Sequence, residues 1–550
     1  MATDQDIAFP TLSASHLAAI SARAHPRNVR AGEILFAEGD RNFCFFVVVE
    51  GSVDIVESST GAEHLVRKHV TGEFTGDVDM LSGRSALVTA RAAEDGLVHE
   101  MSTSELRAMV DGIPELGEII VKAFLMRRTI LLSEGFEGAK IIGSRFQPAA
   151  HELRDFAARN GIPYRFIDLE SDADADAILR QFNVSAAETP IVIGRHGQWR
   201  VKPTIQDFAD CAGLTMPLEP GHVYDLVVVG AGPAGLAASV YAASEGLDVL
   251  TLEQVAPGGQ AGTSARIENY LGFPTGISGR ELIGNAILQA QRFDAHITVP
   301  REVQALGLSG GDRVVTLVDG TRILARCILV ASGVKYRRLD VANFERLVGA
   351  GVYYAATEME TRPCKGEEVV VVGAGNSAGQ AIVSLARYAS RVHVLVRGSD
   401  LGRSMSRYLV DRIQSIENVT VHLNASVTAL DGNGRLGAVR YVQKGDGEKS
   451  IATGSLFNFC GADANTEWLR GCVDLDSKGF VTTGPSLPPT VTDSERWKAI
   501  GRAPFLLETS LPGVFAAGDV RSGSVKRCAS AVGEGSMSVS FVHAHLARPL

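Results

Sequence analysis

Cysteine is scarce in this 550-residue chain, and no two cysteines are close together. The seven cysteines occupy positions 44, 211, 327, 364, 460, 472 and 528, and the closest two are Cys460 and Cys472. This spacing excludes a Cys-x-x-Cys redox pair and a cysteine-based zinc site. An odd number of widely spaced cysteines is typical of reduced thiols in the cytoplasm. We therefore expect a cytoplasmic protein without a bound metal.

Blocks of like charge and long membrane-compatible runs are also missing. The 53 basic and 63 acidic residues give a net charge of −10, which argues against a nucleic-acid partner. The N-terminus lacks the basic and apolar regions of a secretory signal. The longest uncharged stretch, Leu226 to Ala243, contains three glycines and a proline, so it is better interpreted as strand, turn and helix. We expect no association with membranes.

Glycine is abundant, with 58 residues. No collagen-like period accompanies it, so the excess indicates positions where the backbone approaches another group closely or adopts positive φ. The 45% hydrophobic and 21% charged composition is that of an ordinary globular protein. At about 150 residues per domain, the length favours three to four domains.

The first block, residues 1–135, has the pattern of a small β-barrel. Turn residues separate short apolar strands, with one helix predicted before them and another after them. The predicted helices are Thr11–Ala24 and Glu115–Ser133, and the predicted strands are Glu33–Phe36, Phe45–Val49, Val53–Glu57, Leu65–His69, Leu87–Arg91 and Leu97–Glu100.

A glycine-rich turn in this block, Gly72 to Asp79, is followed by Arg84-Ser85-Ala86. Free turn amides and an arginine suit a phosphodiester. The block resembles cyclic-nucleotide-binding domains, and the resemblance implies a site for cyclic AMP or cyclic GMP formed by Gly76, Asp77, Arg84 and Ser85. Asp77 is shorter than the family's glutamate, and Asp79 adds a second carboxylate. The alternative is a barrel that has lost its ligand and serves as a packing or sensing surface.

The second block, residues 138–214, alternates predicted strands and helices and has Thr189-Pro190 before its third strand. It resembles the glutaredoxin or thioredoxin fold, in which this proline usually follows a cis peptide. The turn that would carry the active site, Ser144 to Ala150, contains no cysteine. Since thiol exchange needs a thiolate, we expect a non-catalytic docking surface or spacer.

The third block opens with a strand that leads into Gly230-Ala-Gly232-Pro-Ala-Gly235, and a later strand ends at Glu253. This pattern predicts a dinucleotide fold in which Gly230 makes the turn, Gly232 admits a pyrophosphate and Gly235 packs helix on strand. Glu253 is placed to bind a ribose hydroxyl.

A second glycine turn of the same type begins at Gly373. Its ligand residues are predicted to be Gly373, Gly375, Asn376, Ser377 and Ala378. The following strand ends at Arg397, with Arg403 nearby, where an acidic residue would bind a free 2′-hydroxyl. Arginine at this place favours a 2′-phosphate, and therefore NADPH over NADH.

The third block resembles low-molecular-weight thioredoxin reductases along its whole length. The resemblance implies non-covalent FAD, NADPH and a homodimer, with an FAD domain at residues 222–338 and 465–550 and an NAD(P)H domain at 339–464. The fold class is thus multidomain α/β: a cyclic-nucleotide-binding-like barrel, a degenerate thioredoxin-like domain and two nested Rossmann-like domains. The flavin residues that the resemblance adds are Gly259, Gln260, Asn269, Gly518, Asp519, Lys526 and Ala529.

One departure concerns the mechanism. Where the family has its redox-active Cys-Ala-Thr-Cys, this chain has Ala355-Ala-Thr-Glu358. We therefore expect an NADPH-dependent flavoenzyme whose unknown electron acceptor, a redox protein or small molecule, is not reached through an internal dithiol. Glu358 is a candidate proton donor near the flavin, with a solvated or salt-bridged carboxylate as the alternative, and Cys364 is a candidate for a single-thiol relay. The alternatives are a flavoprotein sensor or scaffold without turnover, and a thioredoxin-disulfide reductase that uses another thiol.

Overall fold

The computed structural model describes residues 3–41, 43–59, 62–133, 138–173, 175–194 and 198–547. The chain divides into two compact units. The first comprises residues 1–141, 161–167 and 191–216, and the second comprises residues 142–160, 168–190 and 217–550. The predicted boundary at residue 135 lies outside the described residues.

Two antiparallel sheets form the barrel of the first unit. The three-stranded sheet has the order His25–Val29, Gly96–Met101, Phe45–Glu50, and the four-stranded sheet has the order Ile34–Phe36, Thr89–Ala92, Ser52–Ser59, Ala62–Val70. The predicted strands are confirmed, and His25–Val29 was missed. Its sequence, His-Pro-Arg-Asn-Val, lacks apolar alternation because it forms an edge that pairs with one neighbour only.

Five helices of the first unit accompany this barrel: Asp4–Ala8, Ala14–Ser21, Val78–Ser82, Thr103–Gly112 and Pro114–Ser133. The predicted helix Thr11–Ala24 is shorter than expected because the Ser13 hydroxyl accepts a hydrogen bond from the amide of His16 and fixes the helix start. The helix Thr103–Gly112 was missed, although its capping box was visible in the sequence. There the Ser102 hydroxyl accepts from the Glu105 amide, and the Glu105 carboxylate accepts from the Ser102 amide.

The middle segment contains a four-stranded sheet in the order Trp199–Val201, Ile191–Ile193, Ala139–Gly143, Tyr164–Asp168. Its helices are Pro148–Arg159, Ala175–Gln181 and Ile205–Cys211. The Thr189–Pro190 peptide is cis, as expected from the sequence.

A seven-stranded sheet forms the first nucleotide fold. From Leu226 onward, strand Val223–Val229 is buried on both faces, with Val227 and Val229 in one apolar cluster and Leu226 and Val228 in the other. Burial on both faces explains its continuous apolar sequence. The strand order is His296–Thr298, Val249–Leu252, Val223–Val229, Arg322–Val330, Asp312–Leu317, Val303–Ser309, with Val514–Ala516 also paired to Arg322–Val330. The helices are Pro233–Ser244, Gly259–Gly262, Gly279–Arg292 and Cys528–Leu546.

The second nucleotide fold is inserted within the first. Its parallel sheet has the order Val352–Tyr353, Leu456–Asn458, Glu368–Val372, Arg391–Val396, Val419–Leu423. Helices Asn376–Leu385 and Arg407–Gln414 and the antiparallel strands Ala425–Gly432, Leu436–Gln443 and Glu448–Ala452 complete it. The chain enters and leaves through an antiparallel pair, Val334–Tyr336 with Ala462–Ala464.

The remaining elements are short. The helices are Phe344–Leu347, Glu358–Thr361, Pro489–Thr492 and Glu495–Ile500, and the 3₁₀ turns are Ala186–Glu188, Arg362–Cys364, Glu467–Leu469, Gly484–Ser486 and Gly518–Val520. No helix within the described part of the chain is long and apolar enough to cross a membrane.

Candidate functional site

The three glycines of the first nucleotide turn have different surroundings. Gly230 has φ +105°, and a Cβ there would lie 2.4 Å from the carbonyl oxygen of Ala331. A Cβ on Gly235 would lie 1.9 Å from the carbonyl oxygen of Gly230. Nothing lies within 4 Å of the Cβ position of Gly232, at the start of helix Pro233–Ser244. Two glycines are therefore required by packing, whereas Gly232 faces open space where a phosphate fits the helix N-terminus.

Glu253 lies at the rim of this turn. Its carboxylate accepts hydrogen bonds from the amides of Ala231 at 2.9 Å and Val255 at 3.0 Å. Glu253 and Gly230 also line a cavity of about 350 Å³, together with Lys335. The acid predicted to bind a ribose thus shapes the turn and borders the space beside it.

The loop with Gly259 and Gln260 contacts the first turn. A Cβ on Gly259 would lie 3.3 Å from the Cα of Gly232, and the side-chain amide of Gln260 donates to the carbonyl oxygen of Val334 at 2.9 Å. Asn269 is exposed, in a loop closed by the bridge between Ile267 and Ile277. The structure therefore brings Gly259 to the first glycine turn and leaves Asn269 exposed.

The turn at Gly518 reaches the same helix N-terminus. A Cβ on Gly518 would lie 3.0 Å from the Cβ of Ala234, and its amide donates to the Glu534 carboxylate at 2.8 Å. Burial raises the pKa of the Asp519 carboxyl. The Lys526 ammonium donates to the carbonyl oxygen of Asp519 at 2.7 Å, and Ala529 is exposed in the first turn of helix Cys528–Leu546.

The second glycine turn repeats the arrangement of the first. Gly373 has φ +136°, and a Cβ there would lie 2.4 Å from the carbonyl oxygen of Phe459, whereas Gly375 has nothing within 4 Å of its Cβ position. Ala378, in place of the third glycine, is fully buried. Ser377 is exposed, and the side-chain oxygen of Asn376 accepts from the amide of Ser406 at 2.7 Å. This turn also leaves room for a phosphate.

The two arginines predicted to bind a 2′-phosphate are both exposed. Arg397 follows directly after strand Arg391–Val396. Arg403 lies in a loop that is attached to the second turn, since the Ser404 hydroxyl donates to the carbonyl oxygen of Ala374 at 2.9 Å. Neither guanidinium appears in an ion pair among the described residues.

The segment that replaces the dithiol lies at the start of a short helix. The Glu358 side chain is 80% exposed and pairs with Arg362 at 3.3 Å, which places it in solvent. Cys364 is 1% exposed, and burial raises the pKa of its thiol, which donates to the carbonyl oxygen of Glu360 at 3.1 Å. A buried, protonated thiol is a poor relay.

Glu360, which was not among the predicted site residues, lies in the same short helix as Glu358. Its side chain is 4% exposed, and burial raises the pKa of the carboxyl to about 7. The amide of Thr357 donates to the Glu360 carboxylate at 2.9 Å, and this capping box was visible as a Thr-x-x-Glu pattern. Tyr354 stacks on Tyr336 at 5.6 Å between ring centres, so the same segment touches the strand pair that joins the two folds.

The cassette of the first unit, residues 76–86, begins with Gly76 and Asp77. A Cβ on Gly76, which has φ +98°, would lie 2.3 Å from the sulfur of Met80. Asp77 caps helix Val78–Ser82 by accepting from the Asp79 amide at 2.9 Å. Burial, reinforced by Asp79, raises the pKa of the Asp77 carboxyl to about 7.

The extra carboxylate of Asp79 has its own counter-ion. Arg128 lies 2.9 Å from Asp79 and 3.7 Å from Asp77, so it neutralises charge that would otherwise oppose an anion at the cassette. Burial lowers the pKa of the Arg84 guanidinium, and the nearby carboxylates of Asp79 and Asp77 partly offset this lowering. Ser85 is half-buried.

Arg127 connects the last helix of the first unit to the cassette. Its guanidinium donates to the carbonyl oxygens of Gly76 at 2.6 Å, Phe74 at 3.0 Å and Ala8 at 2.8 Å. Beside it lies a mostly apolar cavity of about 70 Å³ that is also bordered by Phe9 and Asp77. The sequence signal for Arg127 is an arginine on the apolar face of the predicted helix Glu115–Ser133.

The cysteine-free turn of the middle segment contains Gln147 at the start of helix Pro148–Arg159. Its side-chain amide donates to the carbonyl oxygen of Thr189 at 2.6 Å, and the Thr189 hydroxyl donates back at 3.3 Å. The Gln147 side chain is therefore hydrogen-bonded to the backbone carbonyl of Thr189, next to the cis peptide.

Residues 224–535 match the family model described as pyridine nucleotide-disulphide oxidoreductase. This match spans more than half of the chain. The chain belongs to the pyridine nucleotide-disulphide oxidoreductase family. Residues 26–112 match the cyclic nucleotide-binding domain model, so this family member carries that domain at its N-terminal side.

Relatives of the family member are thioredoxin reductases. The thioredoxin reductase of Mycolicibacterium smegmatis is 33% identical over 319 residues, covering 57% of this chain and 93% of the relative. The thioredoxin reductase of Streptomyces clavuligerus is 31% identical over 328 residues, covering 59% of this chain and 94% of the relative. The crystal structure of T. acidophilum thioredoxin reductase is 29% identical with a TM-score of 0.52, covering 59% of this chain and 99% of that one. The crystal structure of Lactococcus lactis thioredoxin reductase is 25% identical with a TM-score of 0.52, covering 59% of this chain and 99% of that one.

This family member is therefore a flavin oxidoreductase similar to thioredoxin reductases, and its family implies FAD and NADPH. The open glycines Gly232 and Gly375 fit the phosphates of two dinucleotides. Within the described ranges, no cluster of three or more histidine, cysteine or acidic side chains is arranged to hold a metal.

Proposed function

We propose that this family member transfers electrons from NADPH through FAD to an acceptor that it does not reach through an internal dithiol. The observation that carries the proposal is the pair of glycine turns, each with one glycine open to solvent. FAD, when bound, supplies a ring that accepts a hydride from nicotinamide. The protein contributes the two phosphate cradles, the acid Glu253 and the loop with Gln260 that lies against the first cradle.

The lack of sulfur at Ala355 and Glu358 supports the second half of the proposal. Electron transfer to a protein disulfide by exchange requires a thiolate nucleophile. All seven cysteines are free, and Cys364, the one nearest in sequence to these positions, is buried. The proposed acceptors are a redox protein, a quinone or oxygen.

A direct experiment is to add NADPH to the purified holoprotein without oxygen and to follow the visible absorbance of the flavin. We expect rapid bleaching, slower bleaching with NADH, and little further oxidation of NADPH when thioredoxin is added. Bound flavin that stays oxidised would favour the sensor or scaffold function instead. Efficient turnover with thioredoxin would favour a disulfide reductase that uses another thiol.

We further propose that the cassette binds a cyclic nucleotide that regulates turnover. The Arg128–Asp79 pair supports this because it removes the charge conflict that Asp79 introduces. The anion would be bound by Arg84 and Ser85, and Asp77 would bind a ribose hydroxyl. Titration of the full chain with cyclic AMP and cyclic GMP tests binding, and regulation requires that the nucleotide change the rate of NADPH oxidation.

We also propose that the middle segment is a non-catalytic thioredoxin-like module. The hydrogen bonds between Gln147 and Thr189 support this, because an amide with no redox chemistry contacts the backbone beside the cis peptide. Replacement of Gln147 by alanine should leave NADPH oxidation unchanged, and a loss of turnover would contradict the assignment.

A homodimer in the cytoplasm completes the proposal. Tyr241 and Met537 are 47% and 43% exposed on helices Pro233–Ser244 and Cys528–Leu546, which pack together through Gly535. Exposed apolar side chains of this kind suit a subunit interface. Light scattering should give the mass of two chains, and the Tyr241→Asp substitution at the proposed interface should shift the measured mass towards that of one chain.

A further inference from the structure

Residues 213–216, here called the strap, form the end of the first unit and continue directly into Pro217. Arg41 holds the strap. Its guanidinium donates to the carbonyl oxygens of Gly213 at 3.3 Å and Thr215 at 3.2 Å. The Gln206 side chain also donates to the Thr215 hydroxyl at 3.0 Å. Leu214 is buried, so the strap is docked on the unit along its length.

The strap is in contact with the cassette turn that contains the proposed anion ligands. A Cβ on Gly213 would lie 3.2 Å from the hydroxyl oxygen of Ser85. A Cβ on Gly83 would lie 3.5 Å from the terminal carbon of Met216. Gly213 has φ +68°, which a glycine adopts without strain, so its backbone approaches the Ser85 hydroxyl closely.

The loop that carries Arg41, between strands Ile34–Phe36 and Phe45–Glu50, is hydrogen-bonded to the same turn. The amide of Ala86 donates to the carbonyl oxygen of Asp40 at 2.9 Å, and the amide of Gly39 donates to the carbonyl oxygen of Ala86 at 2.9 Å. The cassette turn, the loop with Arg41 and the strap therefore form one connected set of contacts. The turn at residues 83–86 contacts both the strap and the loop that carries its anchor, Arg41.

We infer that the strap is the element through which a cyclic nucleotide at the cassette acts on the flavoenzyme. This inference rests on the proposed binding of a cyclic nucleotide at Arg84 and Ser85. A phosphate bound to the Ser85 hydroxyl competes with the backbone of Gly213 for the same side of that residue. Binding releases the strap, and residues 217–222 join the strap to strand Val223–Val229, which ends at the first glycine turn.

The coupling is reciprocal, so weakening the strap must strengthen binding. Arg41→Ala removes the two hydrogen bonds to the strap, and at roughly 1 kcal/mol of net stabilisation for each hydrogen bond we expect the affinity for cyclic nucleotide to rise by up to about 30-fold. Arg41→Lys, which keeps the charge but loses the forked donor, should give a smaller rise. Arg23→Ala is the matched control, because Arg23 is an exposed arginine of the same unit whose guanidinium donates to the carbonyl oxygen of Ala19 in the preceding helix and not to the strap.

The experiment combines calorimetric titration of the full chain, using cyclic AMP and cyclic GMP as probes, with hydrogen exchange of the peptide that covers residues 213–217. We expect faster exchange in this peptide when nucleotide binds, and the same faster exchange in Arg41→Ala without nucleotide. If nucleotide binds but the exchange rate stays unchanged, and Arg41→Ala binds with the same affinity as the unaltered protein, the proposed role of the strap is refuted. The proposed binding of a cyclic nucleotide would then still stand. No binding at millimolar concentration by either protein would overturn the binding function and the strap together.

Discussion

The replacement of Gly232 by alanine separates cofactor binding from folding. Gly232 has φ −72° and ψ −176°, an extended conformation that alanine adopts, and nothing lies within 4 Å of the added Cβ. Alanine is a poorer N-cap than glycine, which destabilises the fold, but it also lowers the entropy of the unfolded chain, which stabilises the fold. Because the two effects oppose each other, the unfolding free energy of the apoprotein should change by less than about 1 kcal/mol. The new methyl group, however, projects into the space proposed for the pyrophosphate.

The expected loss of affinity follows from the hydrogen bonds that a displaced phosphate loses. One hydrogen bond to a charged group is worth roughly 1.5–3 kcal/mol. The FAD dissociation constant should therefore rise by about 10- to 150-fold. The assay is FAD titration of the deflavinated protein, followed by flavin fluorescence, together with thermal unfolding of the apoprotein.

Two control variants make this result specific. Gly375→Ala, at the open glycine of the second turn, should keep FAD and raise the KM for NADPH by a similar factor. Gly235→Ala places a Cβ 1.9 Å from a backbone oxygen and should destabilise the fold by about 3 kcal/mol or more. Full retention of FAD by Gly232→Ala would refute the assignment of the first turn as a phosphate cradle, and loss of both cofactors in one variant would refute the independence of the turns.

Three further predictions concern specificity, pH and the acceptor. Replacing Arg397 and Arg403 by alanine should raise the KM for NADPH about tenfold and leave that for NADH unchanged, as measured by flavin reduction, because only NADPH has the 2′-phosphate. Burial raises the pKa of Glu360 to about 7, so the folded state binds more protons than the unfolded state and stability falls as pH rises from about 4.5 to about 7. Glu360→Gln should remove this dependence in denaturant unfolding and add up to about 3 kcal/mol above pH 7. Restoring sulfur with Ala355→Cys and Glu358→Cys should give a chain in which NADPH reduces a disulfide detectable by thiol titration.

Each of these has an outcome that would contradict it. An equal effect of the arginine variants on NADH and NADPH would point to general electrostatics. A Glu360→Gln variant that keeps the same fall in stability with pH would assign the titration to another group. Cysteines at positions 355 and 358 that stay oxidised after flavin reduction would show that this segment does not come close to the flavin.

The parallel sheets were predictable because their signal is local. A strand buried on both faces is a continuous apolar run, and Val223–Val229 and Glu368–Val372 lead directly into glycines that the turn geometry requires. The same reasoning located Gly230 and Gly373 as turn positions, since each Cβ would collide with a backbone oxygen. Elements of this kind depend on neighbours a few residues away.

Two of the residues that were missed act over long separations in the sequence, unlike the local capping boxes at Glu105 and Glu360. Arg128 pairs with Asp79 from a helix far along the chain, and Gln147 bonds to Thr189 across the middle segment. Neither residue type is unusual for its element, because arginine and glutamine are good helix formers. Only the tertiary structure brings these partners together, so a single sequence carried no sign of them.

The split of the first nucleotide fold has a consequence for the order of events during synthesis on the ribosome. Strand Val514–Ala516 pairs with Arg322–Val330, and Gly535 of the last helix packs against the backbone of Ala234. The inserted fold, by contrast, has all its strands by Asn458. The insert can therefore complete its sheet while the surrounding fold still lacks a strand and a helix, and the early half must stay incomplete until nearly the whole polypeptide has emerged.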